Sequence, residues 1–305
     1  MRALASNRHA LVGGAILAFF ALIAIFGPLL TGDPNALVGL PHQPPSGEHP
    51  FGTTGQGQDV LAQTAAGARS TLLLGFGVGF AVTAVGALVG IAAAYFGGIA
   101  DELLSTLINV FLILPGLPLA VVLAAYLPPG PLTLGLVLVV TGWSWNARVL
   151  RSQALSLRSK DFVSAAIVGG ESHLYVMFRE ILPNMTSLLV SAFIGATVYA
   201  IGAQVGLEFL GIGDVNVVTW GTNLYWASND SALLTGSWWT FVPTGVSIAL
   251  VGFALVLLNA AVDELTNPRL SAAGAGSRPR RRGAARLTTP VVRRAHRGAE
   301  ALGVD

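Results

Sequence analysis

Long runs of apolar residues alternate with short polar segments along this chain, and six of the runs are long enough to cross a membrane. A helix needs about 20 predominantly apolar residues to span the hydrocarbon core of a bilayer. The six runs cover residues 11–30, 71–96, 103–127, 132–149, 187–207 and 238–262. The fourth is the least apolar, because Asn146 and Arg148 lie in its last turn. The pattern predicts an all-α integral membrane protein with six transmembrane helices.

Basic residues are concentrated on one side of this predicted arrangement. Of the 17 Lys and Arg residues, all but Arg69 lie in the N-terminus, in the polar segment between the fourth and fifth runs or the last turn before it (Arg148), or in the C-terminal segment. Short loops rich in Lys and Arg stay in the cytoplasm. The prediction is therefore that both termini are cytoplasmic (N-in/C-in). The opposite side receives residues 31–70, 128–131 and 208–237.

Small residues recur along the second run at spacings of three or four. Such spacing lets helix backbones approach closely in lipid. It predicts tight packing within the chain, which we favour over a seam between two subunits. The residues concerned are Gly75, Gly79, Thr83, Gly86, Gly90 and Ala94.

Two prolines, Pro115 and Pro118, interrupt the third run. Irregular backbone at membrane depth is tolerated where it is covered by protein or lines a cavity. The prolines predict either a simple structural kink or an unwound turn beside a cavity, and the sequence leaves the two open.

Composition agrees with a membrane protein and removes several kinds of chemistry. The chain is 53% hydrophobic and 10% charged, where soluble domains carry about 25% charged residues. It has no Cys, which excludes disulfides and thiolate metal sites. Its five His residues show no pair at helical ligand spacing. No metal or cofactor bound by this chain is expected.

The chain divides into a cytoplasmic N-terminus (1–10), a transmembrane domain (11–270) and a basic tail (271–305). The tail has eight Arg residues against Glu300 and Asp305. Its composition predicts a disordered cytoplasmic segment. Because the basic balance belongs to the tail alone, it is poor support for nucleic-acid binding, and contact with anionic lipid is the alternative.

No catalytic motif is visible. The single lysine, Lys160, follows Ser159, so the chain has no phosphate-binding loop of the G-x-x-x-x-G-K-[ST] type. Ionisable residues occur at span ends, as Arg148, Glu208 and Asp263 do, which disfavours a proton- or sodium-coupled carrier or channel. A membrane-embedded enzyme is disfavoured too, because no cluster of His, Asp or Glu falls within the runs. Any energy for transport is expected to come from a partner.

The polar segment 150–184 predicts two short helices separated by glycines. Asp161 is a candidate N-cap for the first helix, and Gly169 and Gly170 would end it in left-handed geometry. The second helix is predicted over residues 173–182, with Pro183 after it. One face of that helix would carry Leu174, Met177, Phe178 and Ile181. Spacing alone leaves two interpretations open, a docking element or a connector lying on the membrane surface.

At this segment the chain resembles a known family. Residues 161–170 (DFVSAAIVGG) and 179–184 (REILPN) are similar to the EAA loop of bacterial ABC importer permeases. The matching positions are Ala165, Ala166, Gly170, Leu182 and Pro183. Ser164 stands where that loop has its glutamate.

Other motifs resemble the dipeptide/oligopeptide/nickel branch of those importers, in its second permease type. Residues 51–61 (FGTTGQGQDVL) and 67–72 (GARSTL) are similar to its signature, with Thr54 and Gln58 in place of Asp and Arg. Further matches are 95–98, 209–213, Trp220 with Gly221, 238–239 and 267–270. Gln204 stands where many relatives have an acidic residue. The resemblance covers about residues 10–270.

The resemblance implies a type I ABC importer permease fold in the bacterial cytoplasmic (inner) membrane. It implies a heterodimer with a second permease, two ATPase subunits that carry ATP and Mg, and an external binding protein. Peptides are the expected substrate, with oligosaccharides or nickel as alternatives. The ATPase-coupling residues would be Asp161, Phe162, Ser164, Ala165, Ala166, Gly170, Leu174, Phe178, Arg179, Leu182 and Pro183. Residues on the binding-protein side would be Gly52, Thr53, Gly57, Asp59, Arg69, Trp220 and Gly221.

Two interactions are predicted on the outer side. Asp59 and Arg69 are candidates for an ion pair that orders the long first loop. Four tryptophans, Trp220, Trp226, Trp238 and Trp239, are interpreted as interfacial anchors rather than as a ligand-stacking surface.

Overall fold

The structure, a computed structural model, describes residues 7–266, and most of these residues are helical. The β-structure of this part is limited to isolated bridges that join Leu37 to Gln58 and Thr53 to Asp59. The predictions for the tail (271–305), for the motif at 267–270 and for residues 1–6 lie outside the described residues.

The helices follow the order of the predicted spans. They are α1 (Arg8–Leu30), α2 (Val60–Phe96), α3 (Gly98–Ile113), α4 (Gly116–Tyr126), α5 (Pro131–Arg158), α6 (Asp161–Val168), α7 (His173–Tyr175), α8 (Thr186–Phe209), α9 (Trp220–Asn229), α10 (Ala232–Thr235) and α11 (Val242–Thr266). A π-helical turn (Val176–Ile181) and a 3-10 turn (Leu182–Met185) join α7 to α8, and a second 3-10 turn (Trp238–Thr240) precedes α11.

Within residues 7–266, four helical segments are long and apolar enough to cross a membrane, and the bent pair α3 and α4 gives a fifth if it is one span. The four are α1, α2, the continuous helix His173–Phe209, and Trp238–Glu264. The remaining predicted span is α5, which has 28 residues. Asn146, Arg148 and Arg151 make it less apolar than the others. The count of six spans therefore stays a prediction, as does the orientation.

Helix α2 begins eleven residues before the predicted span, at Val60 instead of residue 71. Asp59 caps it, because the Asp59 Oδ1 atom accepts a hydrogen bond from the backbone N–H of Ala62 at 3.0 Å. Residues 60–70, which were predicted to belong to the outer loop, are the first three turns of this helix. The loop itself is thus confined to residues 31–59.

The third predicted span is broken at Pro115, and α3 and α4 meet at an angle of 86°. Leu114 has extended backbone angles, as the residue before a proline usually does, and Pro115 takes the N-cap position of α4. Pro118 lies in the first turn of α4, where the missing N–H has no helical partner to lose. The predicted interruption is confirmed and is sharper than a kink.

The small-residue face of α2 packs within the chain, as predicted. A Cβ atom at Gly86 would lie 2.8 Å from Cβ of Asn146, and one at Gly90 would lie 2.9 Å from the backbone N of Arg151, both on α5. Nearer the N-terminus of α2, Gly75 and Gly79 contact α8. Glycine is needed here because any side chain would push α2 away from its neighbours.

Helix α2 has 37 residues, so it is about 55 Å long and separates two ends of the molecule. At its N-terminus Gln63 donates to the carbonyl of Pro34, within the loop 31–59. At its C-terminus the Tyr95 hydroxyl is 2.9 Å from His173 Nδ1. We call the first the loop end (residues 31–63 and 210–241) and the second the coupling end (residues 158–185).

Candidate functional site

The first helix of the coupling end is α6. Lys160 is its N-cap residue and makes no side-chain capping bond, so the prediction of Asp161 as N-cap is wrong. Asp161 is instead the first residue inside the helix, where its carboxylate still interacts favourably with the helix dipole. Gly170 has a φ of +81°, the left-handed geometry that was predicted, while Gly169 is right-handed with a φ of −67°.

The second predicted helix does not end at Leu182. It begins after Ser172, whose hydroxyl accepts a hydrogen bond from the N–H of Tyr175 at 3.3 Å. The chain then stays helical through the π-helical and 3-10 turns into α8, as one segment, His173–Phe209. Pro183 is tolerated because it lies in the first turn of the 3-10 helix. The coupling end is therefore a direct extension of a membrane helix.

The predicted apolar face of this second helix is divided between core and surface. Met177 and Ile181 are buried, whereas Leu174 is 66% exposed and Phe178 is 43% exposed. The π-helical turn is wider than an α-helical turn and changes the angle between successive side chains. As a result Val176, which was not predicted, becomes fully buried.

The coupling end is held by a common core with α2 and α5. Val163 of α6 and Ile181 are fully buried and pack in the same cluster as Tyr95 and Leu150. The ring of His173 also contacts Tyr95 edge to face, with centroids 5.6 Å apart. These contacts join the two short helices to the C-terminal parts of α2 and α5.

Most of the predicted coupling residues lie on the outside of this core. The exposed ones are Asp161, Phe162, Ser164, Ala165, Gly170, Leu174, Phe178, Arg179 and Pro183, while Ala166 and Leu182 are half-buried. Apolar side chains are prominent among their exposed neighbours, since Ile167 and Val168 are also exposed. Exposed apolar patches of this kind mark interaction surfaces. Phe178 and Leu182 also line an apolar groove between α2 and the helix 173–209.

A second feature is a cavity of about 440 Å³ beside the break between α3 and α4. Leu114 and Gly116 of the break line it, so the structure favours the prediction of an interruption beside a cavity. Its polar lining comes from α5 and α8 and consists of Thr141, Ser144, Asn146, Ser191 and Tyr199. All of these side chains are uncharged. Of these five residues, sequence reasoning noted only Asn146, as one cause of the weakness of the fourth apolar run.

Four of the seven residues predicted on the binding-protein side order the loop 31–59. Thr53 is fully buried and donates to the carbonyl of Leu40 at 2.7 Å. Gly52 and Gly57 have φ values of +71° and +81°, which favour glycine. Asp59 caps α2 and lies 2.8 Å from His49 Nδ1.

The predicted ion pair between Asp59 and Arg69 is wrong. Asp59 pairs with His49 instead, and Arg69 is exposed on α2, ten residues further along that helix. Ten residues of α-helix extend about 15 Å, so the two side chains are too far apart to meet.

The tryptophans join parts of the loop end. Trp220 is fully buried and donates from Nε1 to the carbonyl of Thr64 at 3.0 Å. Trp226 donates to the carbonyl of Val215, and Trp239 donates to that of Thr53. Trp238, which is 54% exposed, has the surface position that an interfacial anchor requires. The interpretation as an anchor is wrong for the fully buried Trp220, and it stays a prediction for the half-buried Trp226 and Trp239.

Glu208 is a buried ionisable residue that sequence reasoning placed simply at a span end. It is 5% exposed, in the last turn of α8. Its carboxylate accepts hydrogen bonds from Thr219 Oγ1 at 2.6 Å and from Gln204 Nε2 at 3.0 Å. Gly221 packs directly against it. The group thus fastens the end of α8 to the start of α9, and Gln204 is one of its hydrogen-bond donors.

Residues 7–266 contain no group of three or more His, Asp or Glu side chains that could hold a metal ion.

Two family models match the chain. One describes a binding-protein-dependent transport system inner membrane component and matches residues 86–268, which include α3 to α8 and the coupling end. The other describes the N-terminal transmembrane domain of oligopeptide transport permease C and matches residues 1–45.

Curated relatives are similar over most of their length. The dipeptide transport system permease protein DppC of Bacillus subtilis (strain 168) is 31% identical over 274 residues, which are 88% of this chain and 84% of the relative. The oligopeptide transport system permease protein OppC of the same organism is 31% identical, over 82% of this chain and 83% of the relative. A putative peptide transport system permease protein of Brucella suis biovar 1 (strain 1330) is 32% identical, with coverage of 90% and 92%.

Proposed function

The chain belongs to the family of binding-protein-dependent transport system inner membrane components, and from that premise we propose that it forms one half of the pathway of an ATP-driven peptide importer. The protein is a transmembrane permease subunit of such a transport system. Peptide is the proposed solute because the relatives described above are named as dipeptide, oligopeptide or peptide permeases. None of these relatives is named for oligosaccharide or nickel, which stay the alternatives.

The observation that carries the proposal is the continuity of the coupling end with a membrane helix. Because Leu174 and the pathway-lining Tyr199 belong to one helical segment, His173–Phe209, a force at the exposed end is transmitted along a stiff rod. A partner ATPase that binds the exposed coupling residues would therefore move the wall of the 440 Å³ cavity. ATP and Mg are proposed to bind to the two ATPase subunits, while this chain supplies the coupling residues.

The proposed arrangement places six spans in the bacterial inner membrane, with the coupling end and both termini in the cytoplasm. The bent pair α3 and α4 is one span, and α5 is the span whose polar residues face the protein interior. Asn146 supports this reading of α5, since it is buried and donates to Thr83 Oγ1 at 3.2 Å. The loop end then faces the external binding protein, and a second permease completes the pathway.

Co-purification tests this function. The tagged full-length chain, extracted gently from its native membrane, is expected to bring with it a second permease, two ATPase subunits and a binding protein, identified by mass spectrometry. Liposomes containing that complex should take up peptide only when ATP and the binding protein are supplied. A chain that purifies alone and transports without ATP would contradict the proposal and support an autonomous carrier or channel.

A further inference from the structure

A cleft of about 300 Å³ at the loop end is lined mainly by carboxamide side chains. It lies between the loop 31–59, the first turn of α2, and the segment that leads into α9. Six of its side chains are Asn or Gln, namely Asn35, Gln56, Gln58, Gln63, Asn216 and Asn223. The ring of Trp226 forms part of the wall, and none of the lining side chains is charged.

Hydrogen bonds among these amides fix some of them and leave other atoms available. Gln63 Nε2 donates to the carbonyl of Pro34 at 2.8 Å and to Gln58 Oε1 at 2.9 Å. Asn223 Nδ2 donates to the backbone carbonyl of Gln63 at 3.0 Å. The amide nitrogen of Gln58 and the side-chain oxygens of Gln63 and Asn223 make no hydrogen bond within the described part of the chain. The cleft thus presents both donors and acceptors on a fixed framework.

The uncharged, polar lining of the cleft favours an uncharged ligand with both hydrogen-bond donors and acceptors. A charged ligand would find no opposite charge among the lining side chains. An apolar ligand would leave the amides desolvated and unpaired, which is costly. A peptide main chain matches it, because each residue offers one N–H donor and one C=O acceptor. The ring of Trp226 gives an apolar surface against which a short segment can lie.

We propose that this amide-lined cleft binds a short, uncharged stretch of peptide main chain. The proposal rests on the proposed function, which places the loop end outside the cell. Two sources have this chemistry, a free peptide on its way to the pathway and a loop of the external binding protein. Gln58 is central, because its amide nitrogen is free while its Oε1 atom holds Gln63.

Gln58→Glu is the informative variant. It keeps an oxygen that can accept from Gln63 Nε2, so the loop should fold, but it replaces the free N–H₂ donor with a charged oxygen. The matched control is Gln153→Glu, since Gln153 is exposed in the C-terminal half of α5 and does not line the cleft.

The full-length chain in nanodiscs is titrated with N-acetyl-trialanine amide by calorimetry, and with maltotriose as a sugar of comparable size. Saturable binding of the capped peptide is expected, weakened about tenfold or more by Gln58→Glu and unchanged by Gln153→Glu. Maltotriose should bind more weakly than the peptide. This outcome identifies free peptide as the ligand.

If the capped peptide does not bind, the second arm uses the binding protein that co-purifies with the chain. Binding of that protein weakened about tenfold by Gln58→Glu, with its own peptide affinity unchanged, would identify its loop as the ligand. Binding of neither, binding that is insensitive to Gln58→Glu, or a preference for maltotriose would overturn the proposal. Co-purification of the second permease and the ATPases is measured separately. If the cleft binds nothing but those subunits co-purify, the importer function is retained and only the cleft proposal is overturned. If those subunits do not co-purify, it is the importer function that is contradicted.

Discussion

At the scale of single residues, the closest approaches between helices are made at glycines of α2. Among the glycines of α2, Gly90 lies closest to the backbone of a neighbouring helix, because a Cβ atom there would lie 2.5 Å from the carbonyl oxygen of Ala147. Gly77, on the same helix, has no atom within 4 Å of the corresponding position. The two glycines therefore separate the cost of crowding from the intrinsic effect of adding a methyl group to a helix.

Gly90→Ala is expected to destabilise the protein by about 1–3 kcal/mol, because α2 and α5 must move apart. Gly77→Ala should be neutral or stabilising by up to about 1 kcal/mol, because alanine favours a helix over glycine. Unfolding of the purified chain in detergent, followed by circular dichroism, measures both. Equal stability of the two variants would contradict the packing described for α2.

Asp230, after α9, is a carboxylate in an unfavourable position. Its Oδ2 atom is buried with no hydrogen-bond partner among the described residues, and the side chain packs against Gly55. Burial raises the pKa of Asp230 above its ordinary value, and the nearby His42 partly offsets this effect. The folded protein therefore holds the Asp230 proton more tightly than the unfolded chain does.

The stability that Asp230 contributes is thus complete below its unfolded pKa of about 3.9 and is lost as the pH rises through the higher pKa of the folded state. Asp230→Asn should raise the melting temperature at pH 7 by about 1–2 °C and lose this advantage near pH 4. Thermal melts across that pH range test it, with the exposed Glu48→Gln as the control. An advantage that grows towards low pH would contradict the assigned direction.

At the scale of elements, the turn between α6 and α7 sets the direction of the coupling end. Gly170 has a φ of +81°, yet a Cβ atom at that position would meet no atom within 4 Å. A larger residue is therefore disfavoured by backbone conformation rather than by collision. Gly169 next to it has a φ of −67°, which any residue can adopt.

Gly170→Val is expected to reduce ATP-driven uptake several-fold while the assembled complex still hydrolyses ATP, because the turn changes and α6 no longer meets the ATPase correctly. Gly169→Ala should keep uptake and hydrolysis coupled. Uptake and phosphate release, measured in parallel on the same liposomes, distinguish the two variants. Normal uptake by Gly170→Val would show that the turn is not part of the coupling element.

Element boundaries show where sequence reasoning succeeded and where it failed. The apolar runs located the long helices, and Pro115 located the break, since a proline acts on its own backbone and on the residue before it. The early start of α2 was readable from Asp59 as an N-cap, but the weakly apolar turn after it concealed the signal. The π-helical turn at Val176–Ile181 had no local signal, because its buried side chains pack in one cluster with Tyr95 and Leu150, which are distant in sequence.

Side-chain partners at the candidate site were harder to predict than helices. Asp59 pairs with His49, and Trp220 bonds to the carbonyl of Thr64, although Trp220 and Thr64 are 156 residues apart in sequence. Such contacts depend on how the loop end folds on itself, which periodicity does not encode. The coupling residues were identified by a matching motif rather than by periodicity, and their role in binding an ATPase stays a prediction.

At the scale of the whole molecule, two helical segments connect the loop end with the coupling end. Both α2 and His173–Phe209 have 37 residues, so each is about 55 Å long, and Gly75 and Gly79 fix them against each other. Under the proposed function, a displacement of the coupling end would therefore be passed through these packed helices to the loop end. This geometry needs the two ends on opposite sides of the membrane, which the distribution of Lys and Arg predicts independently.

The absence of cysteine from the sequence makes that orientation directly measurable. Ser228→Cys adds one thiol at the loop end and Ser156→Cys adds one near the coupling end; both serines are exposed, and the change is nearly isosteric. A membrane-impermeant maleimide added to intact spheroplasts should label Cys-substituted position 228 and reach position 156 only after the membrane is permeabilised. The cysteine-free parent chain gives the background. The reverse labelling pattern would show that the topology is the opposite of the predicted one. The exposed coupling residues would then lie outside the cell, where no ATPase could bind them. Labelling of both positions in intact spheroplasts would mean that the two ends lie on the same side, and the helices that join them could not then carry a signal across the bilayer.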